Sequence, residues 1–229
     1  MPPIVFEKRV VPKRESSIFL VDDHPLVRLW LGQLIEEQGD LVVCGEADNA
    51  REALCRIEAL KPDLVIIDIA LPGGSGMELI KTLKAQHPHL LMIVLSMHDE
   101  SVYAERAVRA GARGFVMKRE TANQIIEAIY KVLRGKLAVS AAVAQTFADK
   151  FGNERVPAVG PTVECLSDRE LEVFELLGSG LDTRAIGERL GISMKTVQAY
   201  CARIKEKLEL SNATELLREA LRWFENHPH

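Results

Sequence analysis

The chain has 229 residues, which is long enough for one large domain or two modest ones. Apolar residues make up 47% and charged residues 27%, as in a globular protein. The net charge of −4 argues against a surface that coats nucleic acid as a whole, although it permits a local basic patch.

Membrane insertion and secretion are not expected from the apolar pattern. No apolar run reaches the roughly 18 residues of a membrane span, and the N-terminus lacks the apolar core of a signal peptide. We therefore expect a cytoplasmic protein without a membrane partner.

An N-terminal extension, residues 1–16, precedes the first predicted strand. Its basic residues outnumber its acidic ones, and it contains short apolar runs at 4–6 and 10–11. Two interpretations stay open, a flexible tail or a segment that packs on the domain or on a partner.

Apolar runs rich in Val and Ile end at polar residues four times between residues 17 and 136. Asp22 and Asp23 follow the run 18–21, and Asp68 follows the run 64–67. Ser96 follows the run 90–95, and Lys118 follows the run 114–117. Such runs predict strands buried on both faces, and a helical pattern follows each of them. With a further strand at 41–45, the sequence predicts an α/β domain with a doubly wound, five-stranded parallel sheet.

Parallel strands place their carboxyl ends at one edge of a sheet, so these polar side chains should converge. Alone, Asp68 could be a simple strand terminator. Carboxylates brought together repel one another unless a cation joins them, and oxygen ligands with several waters suit Mg²⁺. With the ammonium of Lys118 and the hydroxyl of Ser96 nearby, this set predicts an aspartate nucleophile that accepts a phosphoryl group.

These residues resemble the site of a response-regulator receiver domain, which accepts a phosphoryl group from a histidine kinase. The resemblance implies that Asp68 is the acceptor. It implies a Mg²⁺ site made by Asp22, Asp23, Asp68 and the backbone carbonyl of Ala70. It also implies three residues that respond to phosphorylation, namely Ser96, Phe115 and Lys118.

The first helix should begin at Pro25, a favourable residue for a first turn. Its predicted apolar stripe consists of Leu26, Leu29, Trp30 and Leu34. His24 lies between the acidic pair and this helix, where it could touch the site, but we expect a histidine of the loop.

Between the two predicted domains, residues 137–164 show a looser pattern. Residues 140–151 are compatible with a short Ala-rich helix, and 152–161 have the Gly and Pro content of a linker. Such a linker would join two domains that move relative to each other.

The last domain, residues 165–229, should consist of four helices. Ser167 and Glu170 form a predicted capping box, and Gly191 marks a tight turn between two helices. A helix, a short turn with Gly and a second helix form a helix-turn-helix pattern, whose second helix enters the major groove of DNA. Basic residues outnumber acidic ones along 193–208, although a solvated helix face would explain the charge equally well.

Two segments, LSDRE at 166–170 and GISMKTV at 191–197, resemble the LuxR-type DNA-binding domain. With the receiver ahead of it, the chain from about 16 to 226 resembles regulators of the NarL/FixJ family. The resemblance implies that Lys195 and Thr196 contact the DNA backbone. It also implies base contacts by Gln198, Ala199 and Ala202. Two further basic residues of this helix, Arg203 and Lys207, complete the predicted DNA-binding set.

The sequence thus predicts a two-component response regulator in which phosphorylation controls binding to double-stranded DNA. It predicts no enzyme, a homodimer when phosphorylated, and RNA polymerase as a further partner. A two-fold contact could use leucines of the last helix, namely Leu216, Leu217 and Leu221. The alternatives are a DNA-binding regulator independent of phosphorylation and an aspartate-dependent phosphatase, which Ala70 disfavours because such enzymes have Asp there.

Overall fold

The computed structural model describes residues 15–72, 74–152 and 162–227. The predictions for residues 1–14 and for the Gly/Pro-rich segment 153–161 therefore lie outside the described residues. Within the described ranges, we find no helix with the length and apolar character needed to span a bilayer.

The N-terminal half forms a single parallel sheet with strand order β2-β1-β3-β4-β5, which confirms the predicted fold class. The strands are β1 (Ser16–Val21), β2 (Leu41–Ala47), β3 (Leu64–Ile67), β4 (Leu91–Ser96) and β5 (Gly114–Met117). Every residue of β3 is buried, as expected for a central parallel strand covered on both faces.

Helices cover both faces of this sheet. They are α1 (Pro25–Glu36), α2 (Ala50–Leu60), α3 (Gly76–Gln86), α4 (Glu100–Ala110) and α5 (Ala122–Leu133). Buried residues of α1 and α5, such as Ile35 and Ile129, belong to one apolar cluster. Residues of α2, α3 and α4, such as Ile57, Met77 and Tyr103, belong to the other.

The predicted inward stripe of α1 is wrong for three of its four residues. Leu26, Leu29 and Trp30 are 79%, 61% and 41% exposed, whereas the helix packs through Leu31 and Ile35. Because α1 carries apolar side chains nearly all the way round, its periodicity alone could not identify the buried face.

The C-terminal part is helical, as predicted. After α6 (Ala141–Gly152) and a short 3₁₀ helix (Val163–Cys165) come α7 (Asp168–Gly178), α8 (Thr183–Leu190), α9 (Met194–Lys207) and α10 (Ala213–Asn226). The capping box of α7 is present, with Ser167 and Glu170 as the reciprocal pair. Buried side chains of α7, such as Phe174, continue the apolar cluster that includes α3 and α4, so the two domains share buried surface.

Candidate functional site

The sheet register brings Asp22 and Asp68 together. Val21 and Ile67 are register partners on neighbouring strands, and the next residue of each strand is the aspartate. The Asp68 N–H donates to the Val21 carbonyl at 2.8 Å, so the pairing continues to the end of both strands. Strand β5, on the other side of β4, delivers Lys118 to the same edge.

Lys118 bridges the two carboxylates. Its Nζ lies 2.6 Å from Asp22 Oδ2 and 2.7 Å from Asp68 Oδ2. Burial raises the pKa of Asp68, Lys118 opposes that rise, and Asp22 adds to it. Burial by itself would lower the pKa of Lys118, but the Asp68 and Asp22 carboxylates outweigh it and raise that pKa. The predicted convergence of strand ends is therefore present, with an ammonium held beside Asp68.

The carboxylates also form an acidic pocket that suits a divalent metal. Ligand atoms of Asp22, Asp23, His24 and Asp68 all lie within 4.8 Å of one another. Oxygen donors of this kind are what hard cations such as Mg²⁺ prefer, and Lys118 offsets only part of the negative charge. The residues present therefore fit a divalent cation.

His24 lies in the loop before α1, as expected, and it also belongs to this cluster, which the sequence had left as the less favoured alternative. Its Nδ1 lies 2.7 Å from Asp23 Oδ1 and 3.2 Å from Asp22 Oδ1. The sequence showed that His24 follows the acidic pair, but only the turn before α1 decides that its ring faces back toward those carboxylates.

The other predicted receiver residues surround this pocket. Ser96 is fully buried, and its Oγ accepts a hydrogen bond from the His98 N–H at 3.2 Å. The Lys118 N–H donates to the Ser96 carbonyl at 2.8 Å, which ties the ends of β4 and β5 together. Phe115 is buried in β5, and the Ala70 N–H donates to Asp68 Oδ1 at 3.4 Å.

Gly76 allows the chain to pass close to the backbone of Asp68. A Cβ at this position would lie 2.0 Å from the Asp68 carbonyl oxygen, which is backbone and cannot yield without moving the strand end. We expect Gly76→Ala to lower the free energy of unfolding by about 1–3 kcal/mol or more, measured by urea unfolding. Gly74→Ala is the matched control, because its Cβ would make an ordinary 3.5 Å contact with Ala50. Equal stability of the two variants would contradict the close approach.

In the helical domain, α8 and α9 form the predicted helix-turn-helix. Gly191 ends α8 in the left-handed conformation with φ of 63°, and Ser193 caps α9 by accepting the Thr196 N–H. Helix α9 packs through Val197 and Ile204, which are fully buried. This orientation exposes six of the predicted DNA-binding residues, namely Lys195, Gln198, Ala199, Ala202, Arg203 and Lys207.

Two of the predicted DNA-binding residues make contacts within the domain. Thr196 is only partly exposed, and its Oγ1 lies 2.8 Å from Ser193 Oγ at the start of the helix. Lys207 donates to Glu170 Oε2 at 2.6 Å and to the Cys165 carbonyl at 3.2 Å. The ammonium of Lys207 thus braces α9 against the start of α7 in this arrangement.

Two acidic residues of α7 were missed by the sequence reasoning. Glu172 and Glu175 are 7% and 2% exposed, and both bind receiver residues. Their spacing of three residues within an otherwise apolar stretch of α7 was the one available signal, since charged residues are rarely buried unless paired.

Comparison with known proteins agrees with this architecture. Residues 18–130 match the response regulator receiver domain family, and residues 164–220 match the bacterial regulatory proteins of the luxR family.

Relatives of known name are matched over nearly their whole length. Fimbriae Z protein of Salmonella typhimurium is 36% identical over 204 residues, covering 89% of this chain and 95% of that protein. Response regulator GacA of Pseudomonas viridiflava is 32% identical over 205 residues, covering 90% and 95%. The solved structure of RcsB from Salmonella enterica serovar Typhimurium, bound to promoter rprA with phosphomimetic BeF3−, aligns with a TM-score of 0.62 and 25% identity. That alignment covers 90% of this chain and 98% of RcsB.

Three findings lead to one assignment. The parallel sheet has an acidic pocket at its carboxyl edge, a helix-turn-helix follows it in the chain, and relatives covered over most of their length are more than 30% identical. The chain belongs to the two-component response regulators that join a receiver domain to a LuxR-type DNA-binding domain.

Proposed function

We propose that Asp68 accepts a phosphoryl group from a histidine kinase and that this modification controls binding of the chain to double-stranded DNA. One observation carries the proposal. The buried Asp68 carboxylate, bridged to Asp22 by Lys118 beside a pocket for a divalent cation, occurs in the same chain as an exposed recognition helix.

In the transfer step, an Asp68 carboxylate oxygen forms a bond to phosphorus. The bond from phosphorus to the imidazole nitrogen of the kinase's phosphohistidine breaks, and that nitrogen keeps the electron pair. Lys118, already 2.7 Å from Asp68, stabilises the negative charge on the transferring oxygens. Mg²⁺ bound by Asp22, Asp23, Asp68 and the Ala70 carbonyl would supply the remaining charge neutralisation. Ser96 and Phe115 then reorient toward the modified site.

On the DNA side, the proposal assigns backbone contacts to Lys195 and base contacts to Gln198 and Ala199. The phosphorylated chain acts as a homodimer through α10, where Leu217 and Leu221 are 43% and 41% exposed. Leu216 does not belong to this face, because it is only 4% exposed and packs inward. The proposal includes RNA polymerase as a further partner. A regulator that binds DNA and RNA polymerase acts in the cytoplasm.

The protein acts in this proposal as a regulator and not as an enzyme. Ala70 disfavours a phosphatase, because its side chain offers no general acid two residues after Asp68. The phosphorylation-independent regulator would use the same exposed recognition helix but would leave the buried Asp68–Lys118 pair without a role.

A binding titration separates the two regulators. The duplex is one that the protein selects from a random pool, and the titration is run with acetyl phosphate and Mg²⁺, with Mg²⁺ alone, and with both plus a chelator. We expect affinity to rise roughly tenfold in the first arm only, which corresponds to about 1.4 kcal/mol. Equal affinity in all arms, with Asp68 shown to be phosphorylated by mass spectrometry, would establish the phosphorylation-independent alternative instead.

A further inference from the structure

The ring of His24 lies against the acidic pocket, where the proposed function gives it no role. Its Nδ1 is 2.7 Å from Asp23 Oδ1 and 3.2 Å from Asp22 Oδ1. Ligand atoms of these three residues and of Asp68 lie within 4.8 Å of one another. The His24 side chain is 61% exposed, so its ring can adjust without disturbing the core. A nitrogen ligand is therefore within reach of the same space as the three carboxylates.

The contacts of His24 with the two aspartates are not alike. Its Nδ1 is within hydrogen-bond distance of Asp22 Oδ1. Asp23 Oδ1 is a buried atom that accepts no hydrogen bond from the described residues, although Nδ1 is only 2.7 Å away. A buried carboxylate oxygen without a donor calls for an explanation such as an ion. A cation in the pocket would satisfy this oxygen, and the adjacent imidazole nitrogen would be available as a further ligand.

An imidazole nitrogen changes which cations a pocket of carboxylates prefers. Carboxylate and carbonyl oxygens suit Mg²⁺ and Mn²⁺, whereas imidazole suits Ni²⁺, Zn²⁺ and Cu²⁺. Divalent ions late in the first transition series also bind mixed nitrogen and oxygen sites more tightly than the early ones do. The side chain of His24 thus adds a preference that Asp22, Asp23 and Asp68 do not provide by themselves.

We propose that His24 is a metal ligand of the acidic pocket and that it gives the pocket a second class of ion, the imidazole-preferring divalent transition metals. Mg²⁺ uses the oxygen ligands of the pocket and not the ring, and the two classes of ion compete for the same carboxylates. The proposal depends on the geometry of the pocket and not on phosphoryl acceptance by Asp68. It can therefore fail while the proposed function holds, and the reverse is also true.

The test is a calorimetric titration of the full chain, without an affinity tag, with Ni²⁺ and separately with Mg²⁺. We expect His24→Asn to weaken Ni²⁺ binding roughly tenfold or more, the size of effect usual for residues that support a metal site. Its affinity for Mg²⁺ should stay within about twofold of the wild type, because Mg²⁺ takes oxygen ligands. Asn keeps an amide N–H for Asp22 but offers no imidazole nitrogen, and it suits the N-cap position that His24 occupies before α1. Retained Mg²⁺ affinity also reports an intact pocket.

Two further variants locate the bound ion. His89→Asn is the matched control, because His89 is an exposed histidine before β4, at the opposite end of the strand from the pocket. It should bind both ions like the wild type. Asp23→Asn should weaken both ions, and an excess of Mg²⁺ should displace Ni²⁺ from the wild type.

Several results would overturn the proposal. Equal losses of Ni²⁺ and Mg²⁺ affinity in His24→Asn would mean that His24 only holds the carboxylates by hydrogen bonds. Unchanged Ni²⁺ affinity in that variant would mean that the ring is no ligand. Ni²⁺ binding that survives Asp23→Asn, or that Mg²⁺ does not displace, would place the ion outside the acidic pocket. A wild type that binds no Ni²⁺ would refute the proposal outright.

Discussion

We expect the Asp68→Asn variant to take up no phosphoryl group under conditions that label the wild type completely. The amide of asparagine offers no carboxylate oxygen for attack on phosphorus, while the surrounding pocket stays nearly the same size. The wild-type carboxylate is buried beside Asp22, so a neutral side chain at this position should not reduce the folded population. The measurement is intact mass after incubation with acetyl phosphate and Mg²⁺.

Asp48 provides a matched control for this variant. It is an exposed aspartate that follows the last residue of β2, so it lies at the same edge of the same sheet but outside the acidic pocket. Asp48→Asn should be phosphorylated like the wild type. Phosphoryl uptake by Asp68→Asn, or its loss in Asp48→Asn, would show that the acceptor has been assigned to the wrong residue.

The second large expected effect concerns the contacts of α9 with the phosphates and with the bases of DNA. Lys195 is exposed in the first turn of the helix, where a point charge can contact a phosphate without regard to sequence. We expect Lys195→Ala to weaken binding to all duplexes alike and to reduce the slope of log K against log salt by about 0.9. The assay is a titration of a selected and a scrambled duplex at several salt concentrations.

Gln198 should behave differently in the same titration. Its exposed amide can form two hydrogen bonds with adenine, while the neighbouring Ala199 can contact a thymine methyl group. Gln198→Ala should therefore cost roughly 1–3 kcal/mol on the selected duplex and little on the scrambled one. Lys136→Ala, which removes an exposed charge beyond α5 in the receiver, should leave both affinities and the salt slope unchanged. Equal losses of Gln198→Ala on both duplexes would mean that α9 lies differently in the groove.

Helix α7 connects the receiver and the DNA-binding domain. The acceptor pocket and the recognition helix are far apart in sequence, but α7 belongs to the DNA-binding domain and contacts the loops beside the acceptor. Arg169 of α7 adds to this connection, because it donates to the Gly74 carbonyl at 3.3 Å and to the Leu190 carbonyl at the end of α8 at 3.0 Å. Arg169 thus links the loop beside Asp68 to the end of α8, the first helix of the helix-turn-helix.

The sequence by itself determined the elements and the carboxylates of the acidic pocket. Strand runs, capping residues and helix-ending glycines act within a few residues, so α5, α8 and the capping box of α7 were predictable from local chemistry. The convergence of Asp22, Asp68 and Lys118 was predictable as well, because parallel strands share one carboxyl edge.

Only the tertiary structure decided which side chains meet across elements. The buried face of α1, the turn of His24 toward Asp23 and the use of Lys207 as a brace all depend on packing partners that local periodicity does not identify. The contacts between domains are the clearest case, since Ser75 and Glu172 are separated by 97 residues and Tyr103 and Glu175 by 72. Such contacts arise from the fit of two folded surfaces, and that fit exists only after each domain has formed.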